Sequence, residues 1–77
     1  MLIKIQSSWR DLRKIIMMLL KSKIATKIIK MNYVQSFCLQ EDKIVKEEIK
    51  VLSIETENPE LCLKKIQQQN SSAEILS

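Results

Sequence analysis

Glycine is absent from this chain, and so is histidine. Without glycine the backbone cannot approach a phosphate in the manner of GxxxxGK[ST] or GxGxxG, so both nucleotide-binding loops are excluded. Without histidine the commonest acid–base residue and metal ligand is missing, and no Ser-His or Cys-His pair can form. Nothing that remains pairs a nucleophile with a base, so we expect a protein that is not an enzyme. Cys38 and Cys62 are too few for a disulfide framework, and neither sits in a CxxC pair. Long hydrophobic runs are missing too. Residues 15–20, IIMMLL, are bounded by Lys14 and Lys21, far short of the roughly 20 apolar residues of a membrane span. They do not make a secretory leader either. These absences point to a reducing, cytoplasmic setting.

What is present is small and unevenly charged. Seventy-seven residues make one domain, and chains of this size gain stability from disulfides, metals or oligomerisation. The net charge of +4 divides into +7 over residues 1–30 and −3 over residues 31–77. Trp9, Tyr33 and Phe37 form no stacking platform among the lysines. The basic half therefore reads as a solvated face, and no nucleic-acid partner is expected.

Residues 31–56, MNYVQSFCLQEDKIVKEEIKVLSIET, read as a β-hairpin. Residues 33–40 alternate, with Tyr33, Gln35, Phe37 and Leu39 on one side and Val34, Ser36, Cys38 and Gln40 on the other. Residues 41–43 turn. Residues 49–54, IKVLSI, return as a strand nearly apolar on both faces. A lone hairpin is marginal in water, so flanking segments must cover it. Residues 1–6 read as a strand. Ser7 or Ser8, with Asp11 following, caps a helix over residues 9–23. Its stripe of Trp9, Leu12, Ile15, Ile16, Leu19 and Leu20 is expected to be buried, with Met17 and Met18 at its edges. Residues 24–30 end that helix or start a short strand. Asn58 as cap and Pro59 at the first position open a second helix, over residues 61–69, with Cys62, Leu63 and Ile66 inward. The polar run 67–72 breaks it, and residues 73–77 begin another extended segment. The order is strand, helix, strand, strand, helix and the start of a strand. It predicts an α+β fold of the ferredoxin-like, split βαβ kind, with two helices on one face of an antiparallel sheet whose hairpin is central.

In this frame the chain resembles the CutA family of divalent-cation tolerance proteins. Residues 19–25, LLKSKIA, look like the family's LLxxKLAAC segment, and Val34 and Ser36 like its V-T-S-I-Y strand. Lys43, Ile44 and Glu48 match GKIxxxxE. Leu52, Ile54 and Thr56 match LLIKT, and Glu74-Ile75 matches PEI, all in one ungapped register. The resemblance implies a trimeric, PII-like, non-enzymatic protein that responds to metal ions, copper among them. It also implies a single domain over residues 1–77 that lacks the family's complete last strand and C-terminal helix. Departures fall on the chemistry. The family cysteine is replaced by Lys27, the strand tyrosine and tryptophan by Cys38 and Gln40, and the turn glycine by Asp42. The family's HPYEVPEI becomes QQNSSAEI over residues 68–75. The fold is thus expected to carry over, and the metal chemistry largely not.

For a soft Cu(I) ion the only donors are Cys38, Cys62 and the Met17/Met18 pair. With helices on the Phe37 face, the two thiols would lie on opposite sides of the sheet. Structural roles for both cysteines, and weak copper binding or none, are the expectation. The alternatives are a PII-like interaction scaffold or truncated remnant without metal binding, and a basic membrane-surface peptide centred on residues 9–24. Self-association has a motive of its own, since two helices cover only one face of the apolar strand at 49–54.

Overall fold

Ile3 and Ile5 make the first strand one-sided, and both helices pack on that side. The computed structural model describes residues 1–76, apart from the side chain of Asn32; the expected extension to Ser77 lies outside them. The elements are β1 (Leu2–Ile5), α1 (Trp9–Lys21), β2 (Lys27–Gln40), β3 (Lys43–Glu55), α2 (Pro59–Gln69) and β4 (Glu74–Ile75). They form one antiparallel sheet in the order β2-β3-β1-β4 with both helices on one face. This is the α+β, ferredoxin-like arrangement that the sequence predicts.

The core is the contact between the inward ladder of the sheet and two short helical stripes. Ile3 stands opposite Leu52, and Ile54 opposite Ile28. Over them lie Leu12, Ile15 and Leu19 of α1 and Cys62 and Ile66 of α2, all buried. Each large aliphatic side chain placed there contributes roughly 1.5–3 kcal/mol of hydrophobic stabilisation. Among the described residues no polar or charged side chain is buried.

Local chemistry sets the helix ends. Ser8 accepts a hydrogen bond from the Asp11 N–H at 3.2 Å, and the Asn58 side chain accepts one from the Leu61 N–H at 3.2 Å. Pro59 begins α2, where its missing N–H costs nothing. α1 stops in a Schellman motif: the Lys23 N–H donates to Leu20 at 3.1 Å and the Ile24 N–H to Leu19 at 3.1 Å. The residue held left-handed there is Lys23, φ 60°, because the chain has no glycine to use. The hairpin turn is the pair Glu41 and Asp42, φ 49° and 62°, as a two-residue type I′ connection requires.

Several expectations need correction. The hairpin is not central: β3 and β1 are, and β2 is an edge strand, because short β1 pairs with the more apolar return strand. The arms are longer than expected. Residues 24–30 supply the start of β2, since the turn at Lys23 ends the helix, and β3 already begins at Lys43. α2 ends at Gln69 as expected, and the Asn70 N–H still bonds Ile66 at 2.8 Å.

The α1 stripe is only partly buried. Leu12, Ile15 and Leu19 meet the sheet, while Leu20 and Trp9 keep 37% and 39% of their surface. Leu20 is turned about 100° from Leu19 around the helix. Trp9 sits in the first turn, where Lys30 and Lys50 rather than apolar groups lie against its ring. The Phe37 side is not covered either. Phe37 is 64% exposed, because the helices do not reach the outer half of the hairpin. That outer half gives the molecule its 44 Å length.

A β-bulge divides β2. Met31 pairs with Val51 and Val34 with Ile49, so β2 carries one extra residue, and Tyr33 is left-handed at φ 61°. Alternation shifts there, which puts Ile29, Met31, Val34 and Cys38 on the face away from the helices.

Two stability outcomes follow, both read by urea denaturation at fixed protein concentration. Leu52→Ala is expected to cost about 2–5 kcal/mol, whereas Ile44→Ala, on the exposed hairpin tip, should stay within about 0.5 kcal/mol. Lys23→Gly is expected to stabilise by about 1 kcal/mol, by relieving the left-handed penalty of a side chain with a Cβ.

Candidate functional site

The face of the sheet away from the helices is the largest feature that the fold leaves unused. Leu2, Ile29, Met31, Val34, Ile49 and Val51 stand on it, as their pairing registers show. Val51 is buried among its neighbours on that face yet stands outside the helix-side core, and Ile29 is half exposed. Within this face Lys4, opposite Val51 on β1, pairs with Glu47 at 3.6 Å, and the Gln6 amide donates to the same carboxylate at 3.4 Å. The surface continues along the outer hairpin through Val45, which faces Cys38 across the strands. Ile29 and Met31 were missed in the sequence because KIIKM has no visible alternation, and pairing with Ser53 and Val51 decides which side each takes. The signal was there in the apolar character of residues 49–54.

The candidate metal donors do not come together. Cys38 is exposed on the bare face, and Cys62 is completely buried in the core under α2. Met17 is exposed on α1, and Met18 packs at the edge of the core. The two thiols thus lie on opposite sides of the sheet, with a layer of backbone between them. Lys27, at the place of the family cysteine, is exposed at the start of β2. Among the described residues no group of three or more His, Cys, Asp or Glu side chains converges to hold an ion. The residues present do not fit a copper site, because soft metal chemistry needs at least two of these sulfurs to share it.

Burial pushes the Cys62 thiol above its ordinary value, with the N-terminal ammonium opposing in part. The thiol is therefore neutral at physiological pH and inert as a nucleophile.

With the geometry in view, the likeness to known proteins can be stated. No protein-family model and no curated protein matches this chain by sequence. A solved structure does: a divalent cation tolerance protein (Cut A1) from Thermus thermophilus, with TM-score 0.68. The match covers 90% of this chain and 68% of that one, at 15% sequence identity. This chain has the fold of a CutA protein. At that identity the likeness speaks for the architecture, and it agrees with the register of matched residues from Leu19 to Ile75 in the sequence. Among the described residues no helix is long and apolar enough to cross a membrane.

Thiol chemistry checks these placements. In dilute native protein one thiol per chain, Cys38, should react with a disulfide reagent, and Cys62 should react only after denaturant is added. Stability should also fall as pH rises above about 9, where the unfolded chain loses the Cys62 proton that the folded chain retains. In Cys62→Ala that alkaline loss should shrink.

Proposed function

We propose that this chain is a CutA-like, non-enzymatic binding protein that works as a trimer in the cytoplasm and contributes to the response to metal ions. The observation that carries the proposal is the CutA-type fold presenting one bare apolar sheet face. Large contiguous apolar surface is unusual on a monomer and marks an interface. Copies meeting through this face would bury Ile29, Met31 and the outer hairpin, and would supply the stability that a 77-residue chain lacks by itself. The unpaired outer edge of β2 would gain cover in the same assembly. The single domain over residues 1–77 is proposed on the same ground.

The separation of the two thiols favours a second reading of the same assembly, a PII-like interaction scaffold without metal chemistry. In that reading the trimer keeps only the presentation of its surfaces to a partner.

Sedimentation is expected to show a trimer at about ten micromolar, and a stable monomer there would count against the assembly. Ile29→Lys should shift the population to monomer while leaving the helix-side core intact by circular dichroism. Copper titration separates the two readings. We expect no submicromolar, stoichiometric Cu(I) binding, and an affinity of that kind that vanished in Cys38→Ser would restore the metal reading.

A further inference from the structure

Of the basic residues among the first 30, Arg10, Arg13 and Lys30 gather near Trp9 at the foot of the hairpin. The first turn of α1 sets Trp9 over β2 and β3, and two ammonium groups approach its ring together. Lys30 Nζ lies 4.6 Å from the ring centroid and Lys50 Nζ 4.8 Å. Both lysines share this side because Lys30 pairs with core residue Leu52, and Lys50 lies two residues from it on the same strand. Lys50 is fixed further by donating to the Ser7 carbonyl at 2.5 Å. A hollow of about 340 Å³ opens here, lined by Trp9, Lys30, Tyr33, Glu48, Ile49 and Lys50. A second of about 480 Å³ shares Trp9 and Lys30 and adds Arg10 and Arg13.

Four cations thus line two adjoining hollows, against one carboxylate, Glu48. The ion pair present among the described residues, Lys4–Glu47, involves none of them. Solvent screens their mutual repulsion enough for the empty cleft to be tolerated, yet every one of them favours a multiply charged anion. A compact monoanion would fill only part of this space. An elongated one can span both hollows, with Glu48 repelling it from the hairpin end and toward the arginines.

We propose that this cleft binds a small polyphosphate anion. Lys30 and Lys50 would act as point charges held in place by the indole, and Arg10 and Arg13 as planar donors to phosphate oxygens. The site needs no glycine loop, since its donors are side chains. A lipid surface fits less well, because the apolar side chains Leu12, Ile15 and Leu19 of α1 are already buried in the core. Lys30 and Lys50 lie on the helix side of the sheet, away from Cys38, while Ile49 at the margin of the cleft belongs to the bare face.

Trp9 is the single tryptophan of the chain and reports on the site directly. Inorganic triphosphate titrated into the wild-type protein at low salt should change Trp9 fluorescence saturably, and the affinity should fall as salt is added. Lys30→Gln and Arg13→Gln, both at exposed positions, should each weaken it about fivefold or more. Lys64→Gln, on α2, should leave it unchanged. A nucleoside 5′-triphosphate binding equally well would show that the phosphate chain alone is read, and tighter binding would show that the base adds a contact; both support the site. Absence of saturation overturns it, as does a Lys64→Gln loss equal to that of Lys30→Gln. Tighter binding to anionic vesicles than to triphosphate, lost in the same variants, would overturn it in favour of a membrane surface.

Discussion

Everything in this molecule depends on one contact, the four-residue pairing of β1 with the inner half of β3. It brings Ile3 and Ile5 beside Leu52 and Ile54, and so creates an apolar surface wide enough for two helices to share. β1 is also the only strand that β4 can pair with, through Ile3 and Ile75. The outer hairpin has no such support. Its two strands hold each other, with Glu47 tied to Lys4 and Gln6 at its base, and no helix lies over its outer half.

The absence of glycine shapes this architecture more than any residue that is present. Four residues with side chains, Lys23, Tyr33, Glu41 and Asp42, take the left-handed conformation. Each sits where the fold changes direction: the helix end, the bulge and the hairpin tip. Left-handed backbone costs a residue with a Cβ on the order of 1–2 kcal/mol, a sizeable fraction of the stability expected of so small a domain. The chain tolerates that strain because the core and the long β2–β3 ladder fix the turns from both sides. It also explains why a neighbour on the bare face would matter thermodynamically.

The two faces of the sheet carry different chemistry. One side holds the helices and, at its end, the Trp9 cleft with its cations. The other is apolar along the body and bears Cys38 farther out. This separation keeps the two thiols from sharing an ion.

Much of this was legible in the sequence. The spacing of Leu12, Ile15 and Leu19, the caps at Ser8 and Asn58, and the apolar strand at 49–54 determined two helices against a sheet. These signals are local, arising from periodicity and from hydrogen bonds to residues three places away. The register matches to CutA from Leu19 to Ile75 identified the fold, which the structural likeness shows. Three things were decided only by tertiary structure. Which strand is central depends on what β1 finds to pair with. That Val34 and Cys38 share a face with Ile29 and Met31 depends on a bulge whose extra residue leaves no mark in composition. The exposure of Trp9, Phe37 and Leu39 depends on where the helices end in space: periodicity assigns a residue to a face, but only packing determines whether anything lies over it.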